Sequence, residues 1–568
     1  MKVVSATAEN HLNTGEASKL ESNGTLNLTS KNADVNLKGS TYATQQNITA
    51  KNSINTAQTA QAITVGNLQL MAQALNNAGS IRTQSETKAV VKKIQNQGQL
   101  SSGKFDLSTL DSLTNSGQII SDQDLVVQTA ELKNEQDALI ASNQNLKVHL
   151  SGNTLNNMGS IAAMNHLDVI AQQAELVNSG SLSAGLQLNA DVLKFENNFQ
   201  VNASNVQVTA AEVKNTASII GNTVKLKANK KADSTLENSG AIFATNLVDL
   251  TAVQDIKNTG NIYTVNQQEL GAVNLTAQAI QNQSSGVIST NKLHVSADQI
   301  VNDGQISADE AIILANKLQK TALSNNGKAS NNAGIYIYKS LQAENLSHLN
   351  NTGDIYVNLN GSQNSSLIQT EHLNNANGAY LFLGNNSHFI QTGLVSQNAG
   401  EIYVQGNGVA PLATSISFAK LDNTNGMLSI DAATLDFSNN YQHTGKLNAM
   451  NSAAVNAKAD FTNSSTGEVN LYNSALKTKS LTNQNQIKTF GVSEIAAETK
   501  LVNNKLIHSA GTLFIDTATL TNAEKSGIIS LDNLLINTQR SDVNTINNFG
   551  DVYAAAYLVL GNENSKKT

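Results

Sequence analysis

The sequence predicts an all-β solenoid, in which each short strand pairs in parallel with its counterpart one coil later. Three observations carry that expectation. A corner made of an apolar residue, a spacer, an Asn, a short gap usually ending in Gly, and then Ile, Leu or Val returns about every 20 residues. Between corners, short segments alternate apolar and polar residues with the period of a strand that buries one face. Finally, 568 residues include one Pro (Pro411), as expected where almost every strand lends its N–H groups to a neighbour.

The corner is clear in Leu113-Thr114-Asn115-Ser116-Gly117-Gln118-Ile119, and again in Leu75–Ile81, Leu155–Ile161, Leu236–Ile242, Ile300–Ile306, Leu349–Ile355 and Ile546–Val552. In the corner, Gly is expected to supply φ > 0 at a sharp turn. Asn tolerates the same region and can bond local backbone, and Asn amides stacked in register are expected to form a ladder from coil to coil. A hairpin reading of Asn-Gly requires corners every 8–12 residues and cross-strand aromatic pairs, and the sequence has neither.

Along the chain, residues 1–65 read as degenerate first coils, alternating as in Thr25-Leu26-Asn27-Leu28-Thr29 but without clear Asn-Gly corners beyond Asn23-Gly24. Residues 66–320 are the most regular. Asn77, Asn96, Asn115 and Asn134 follow at intervals of 19, and Asn157, Asn178, Asn197, Asn215, Asn238, Asn258, Asn282 and Asn302 continue the series. Core positions between corners are Leu125/Val127/Thr129, Leu146/Val148/Leu150, Val206/Val208/Ala210 and Leu293/Val295/Ala297. Roughly 25 coils at strand spacing predict a rod on the order of 120 Å.

In residues 321–470 the spacing loosens, with corners at Asn351, Asn375, Asn398, Asn423 and Asn463, and aromatics arrive: of 11 Tyr, only Tyr42 and Tyr263 precede residue 330. Tyr336 and Tyr338 flank Ile337 and share a face. Two readings stand side by side: a wider bore that admits rings, or an outward amphipathic surface for a protein or a sugar. The candidate contact residues are Tyr336, Tyr338, Tyr356, Tyr380, Phe382, Phe389, Tyr403 and Tyr441. Residues 471–568 return to tighter coils (Asn483, Asn503, Asn522, Asn548) and end in a tail, Asn562–Thr568, expected to be linker or incomplete coil.

Composition narrows function. Asn supplies roughly one residue in seven, but 40% hydrophobic residues at regular spacing argue against disorder. Cys and Trp are absent, which removes disulfides and thiolate metal sites. A net charge of −7 and a pI near 5.8 offer no basic footprint for nucleic acid. No apolar run reaches the ~20 residues needed to span a bilayer. Met1–Ser5 lack the apolar core of a secretory signal, so the chain is either cytosolic or an internal piece of a longer exported protein; the second is expected because the repeats are already running near residue 20 with no obvious cap.

The Leu-x-Asn-x-Gly-x-Ile corner followed by Leu-x-Val-x-Ala resembles the filamentous haemagglutinin repeats of exoproteins exported by two-partner secretion in Gram-negative bacteria. Residues 66–320 match best, as in Leu176-Val177-Asn178-Ser179-Gly180-Ser181-Leu182. The resemblance implies a right-handed parallel β-helix at the cell surface, serving as an adhesin or as the stalk of a contact-dependent growth inhibition effector. It implies as partners an outer-membrane receptor or surface glycan of a target cell, and an outer-membrane transporter engaged through a region absent here. The family's secretion domain, a toxin domain and its Val-Glu-Asn-Asn boundary are not visible; Phe195-Glu196-Asn197-Asn198 is a corner within the repeats.

The alternative is a carbohydrate-active β-helix enzyme, which needs carboxylates grouped on one face of adjacent coils. Asp309 and Glu310 are consecutive and expected on opposite faces, and Asp303 reads as a turn residue. Glu131, Glu175 and Glu212 share a repeat position and read as a solvated face. The nine His residues form no metal-binding spacing, and His348, His372, His388 and His443 read as surface residues. No phosphate-binding, dinucleotide or nucleophile motif occurs, so no catalytic residue, metal or cofactor is expected.

Overall fold

The computed structural model describes residues 2–265, 270–393, 395–407, 414–537, 544–561 and, as backbone, 565–567. Pro411 and the tail side chains lie outside the described residues. The chain is a parallel β-solenoid of about 26 turns with coils of ~21 residues. It divides into two compact units, Met1–Ala277 and Gln278–Thr568. No helix among the described residues is long and apolar enough to cross a membrane.

Register follows the sequence repeat. In the first unit, Gln99–Ser102 pairs in parallel with Gln118–Ser121, which places Leu100 under Ile119. Leu125, Val127 and Thr129 lie under Leu146, Val148 and Leu150. All six are buried, as are Val206, Val208 and Ala210. Each such Leu, Ile or Val contributes about 1.5–3 kcal/mol relative to exposure. A coil that buries only four or five of them, as Ile119, Leu125, Val127 and Leu132 in one, is stable only when stacked on neighbours.

The corners hold a buried amide ladder. Asn77, Asn96, Asn115, Asn134, Asn157, Asn178, Asn197, Asn215, Asn238 and Asn258 are at most 1% exposed. Each donates its side-chain N–H to the side-chain oxygen of the next, as at Asn96 to Asn115, 2.7 Å, and Asn197 to Asn215, 2.7 Å. The remaining amide hydrogen serves carbonyls at the corner, such as Gly117 O at 3.2 Å and Leu139 O at 3.1 Å for Asn115. Asn suits the position because one planar group both donates and accepts along the axis. A buried Asp would lack the donors.

Before Asn77 the same job falls to hydroxyls. Asn13, Asn36, Asn55 and Asn76 align in register, which puts Thr14 and Thr56 at the ladder position, with the apolar Leu37 between them. Thr14 Oγ1 accepts the N–H of Lys38 at 2.8 Å, and Thr56 Oγ1 that of Ala78 at 3.1 Å. The first coils are thus regular in structure, with a different residue at the corner. Asn36, Asn55 and Asn76 form a second ladder beside it, at 2.7–2.8 Å.

The role expected of the corner glycines needs correction. None of Gly79, Gly98, Gly117 or Gly180 has positive φ. A Cβ on Gly117 would instead run into the Gly98 carbonyl oxygen one coil below, and on Gly180 into that of Gly159. Close approach of stacked backbones, not a left-handed turn, selects Gly. Among the ladder corners a left-handed residue does occur at Asp137, Gly378, Asn425 and Lys525, so the expected role holds at Gly378; others include Asn358, Asn386, Asn451 and Asn473.

The second unit repeats the design with longer coils. Asn282, Asn302, Asn325, Asn351, Asn375, Asn398 and Asn423 continue a ladder at 2.7–3.0 Å. Asn463, Asn483, Asn503, Asn522 and Asn548 form another at 2.7–2.9 Å. Between them His443 takes the place of an Asn, its register partner being Asn463.

Candidate functional site

Rings of residues 334–461 sort onto two sides of the sheet, according to whether they fall in step with the buried or the outward residues of their strand. The outward set stacks in register over four coils: Tyr336 on Tyr356, Tyr356 on Phe382, Phe382 on Tyr403. Their strands alternate these rings with buried Ile335, Ile337, Ile355, Val357, Leu381, Leu383, Ile402 and Val404. Tyr336 and Tyr356 are 5.2 Å apart at 8° between planes, and Phe382 and Tyr403 are 5.8 Å apart at 9°. Tyr338 is part-exposed two residues beyond Tyr336.

A second outward column runs alongside. Asp354, Tyr380, Glu401 and Met427 are in register, two residues before the ring column on the same face. Tyr380 tilts 52° from Tyr356 at 5.5 Å. Tyr336 donates its hydroxyl to Ala333 O at 2.8 Å, and Tyr403 donates to Asp431 at 3.2 Å. Burial, reinforced by the nearby carboxylates, raises the phenols of Tyr336, Tyr356, Tyr380 and Tyr403 above their ordinary range, so they remain hydrogen-bond donors. Burial likewise raises the Glu401 carboxyl.

Phe389 and Tyr441 leave the candidate surface. They are 0% and 3% exposed and belong to an internal ring stack with Phe418, Phe437 and Phe461. Some rings of the aromatic section thus fill the interior, and others face outward. Phe437 and Tyr441 stack at 3.7 Å and 9°.

His443 is a further correction, since it is fully buried rather than at the surface. Its Nε2 lies 2.9 Å from the Glu468 carbonyl and must donate to it, so Nδ1 accepts the Tyr441 hydroxyl at 3.1 Å. Burial pushes its pKa down to about 4. His348 is exposed and stacks on His372 at 4.9 Å, and His388 Nδ1 is 2.9 Å from Ser415 Oγ.

The acids singled out in the sequence do not gather. Glu131, Thr154, Glu175, Lys194 and Glu212 follow one another in register, so Thr154 and Lys194 separate the acids. Lys194 and Glu212 are 3.8 Å apart. Asp309 and Glu310 do not face opposite sides of a strand: both are part-exposed where the register shifts at a corner. Asp309 pairs with Lys339 at 3.3 Å. Among the described residues no three His, Asp or Glu side chains are placed to hold a metal ion.

No protein-family model matches the chain, no curated protein matches it, and no solved structure matches it.

Proposed function

We propose that the chain is the β-solenoid stalk and contact segment of a surface-exposed bacterial exoprotein of the two-partner-secretion kind, touching a receptor or surface glycan of a target cell. The observation that carries this reading is the outward column Tyr336–Tyr356–Phe382–Tyr403 with Tyr380 beside it. Four successive coils place part-exposed rings at this position, flanked in register by Ser307 before and Ser429 after. Amphipathic rings with few rotatable bonds are the side chains that contact surfaces favour. The repeat corner supports the family side of the proposal, and the interleaving of Glu175, Lys194 and Glu212 favours binding over catalysis.

The test is binding of fluorescently labelled chain to a panel of Gram-negative cells, beside a chain carrying Tyr336→Ser, Tyr356→Ser, Phe382→Ser and Tyr403→Ser. Saturable binding by the parent and its loss in the variant, with the β-sheet circular dichroism of both unchanged, supports the proposal. Equal binding by both overturns it. Release of reducing sugar from a polysaccharide panel by the parent would favour a carbohydrate-active enzyme.

A further inference from the structure

Glu401 stands in the outward aromatic face without a counter-charge. Tyr380 precedes it in register, Met427 follows it, and Tyr403 lies two residues along its own strand. Among the described residues no Lys, Arg or His forms an ion pair with it, whereas nearby acids are paired: Glu371 with Lys320 and Asp309 with Lys339. Two more carboxylates edge the same face and likewise lack ion pairs among the described residues. Asp354 accepts the Ala329 N–H at 2.6 Å. Asp431 accepts the Tyr403 hydroxyl and, at 2.7 Å, the Asn451 amide.

Leaving an acid partly buried and unpaired costs stability, and the usual remedy is a partner charge. The ring geometry indicates which cation. Tyr336 with Tyr356, and Phe382 with Tyr403, lie nearly parallel in two stacked pairs, while Tyr356 and Phe382 are tilted 41° at 6.3 Å. Tyr380, tilted 52° from Tyr356, is the register neighbour of Glu401. A phenol ring next to an unpaired carboxylate matches guanidinium, which is planar, stacks on rings and pairs with carboxylate through two parallel hydrogen bonds.

We propose that this face docks an arginine-bearing segment of a protein partner, with the guanidinium lying on Tyr380 and pairing with Glu401. The inference rests on the contact role proposed above and names its partner chemistry. Met427 and Tyr403 flank the cation and exclude water from the pair.

The experiment selects a displayed library of 12-residue peptides on the intact chain and re-measures the recovered peptides against Glu401→Gln, a near-isosteric change that keeps the fold. Recovered peptides are expected to be enriched in Arg. They should bind Glu401→Gln at least about tenfold more weakly, and should weaken when Arg is replaced by citrulline. Peptides without Arg enrichment, or equal binding to Glu401→Gln, overturn the inference. Cell binding by the same two chains, run in parallel, separates it from the broader reading. Cells bound equally by parent and Glu401→Gln overturn the arginine partner and leave surface contact standing. Cells that keep binding after protease shaving also overturn it, and name a glycan as occupant. Arg peptides that need Glu401 while no cell is bound support the inference and count against the broader reading.

Discussion

The side-chain amide of Asn115 donates to the side-chain oxygen of Asn134, one coil on, at 2.9 Å, with both residues fully buried. Replacing Asn115 with Ala leaves the Asn134 oxygen without this donor and the Asn96 amide without this acceptor. Removing one partner of a buried pair costs about 1–3 kcal/mol for each group stranded. Asn115→Ala should therefore destabilise the chain by about 2–4 kcal/mol in urea unfolding. Asn143→Ala, at an exposed corner, should stay within about 0.5 kcal/mol.

Close stacking makes its own prediction at glycine. Gly117→Ala drives a methyl group into the Gly98 carbonyl, which is backbone and cannot swing aside. A loss of at least about 2 kcal/mol is expected, with faster amide exchange in the coils on either side. Gly15→Ala meets nothing closer than Ser18 at 4.0 Å and should be neutral. Equal effects at the two sites would contradict the close-approach explanation.

His443 gives a pH dependence with a definite sign. Its pKa falls from an ordinary 6.5 to about 4 in the fold. Between those values the unfolded chain binds the proton and the native chain does not, so stability rises with pH. The contribution is complete above the unfolded pKa and is lost as pH falls towards the folded one, an effect of at most about 3 kcal/mol. His443→Asn, which restores the residue type found elsewhere in the ladder, should flatten this part of the profile. A profile unchanged by that substitution would contradict the assignment.

The two ring sets should respond oppositely. Phe437→Ala empties a site in the internal stack and should cost about 3–5 kcal/mol. Phe382→Ser removes an outward ring and should shift stability by less than about 1 kcal/mol. Thermal melts of the two variants check both values.

Much of this was legible in the sequence. The Asn spacing gave the coils, the parallel register and the ladder, because one chemical demand recurs at one position. Legibility falls where that demand is met by another group: Thr14 and Thr56 hide the first corners, and His443 hides one in the second unit. The direction of the rings was only half readable. Tyr336 and Tyr338 follow strand parity around Ile337, whereas Phe389 and Tyr441 lie in short strands beside irregular corners, where parity cannot be carried across. The role of Gly was misjudged because sequence shows a turn but not the carbonyl lying beneath it.

The division of the rings into an outward face and an internal stack is the claim on which the contact proposals depend. The chain has no cysteine, so single substitutions report cleanly on access. Tyr403→Cys and Phe418→Cys should be compared by maleimide labelling of the native chain. Residue 403 should label at least about a hundredfold faster, with residue 418 reacting only on unfolding. Comparable rates at both positions would contradict the account.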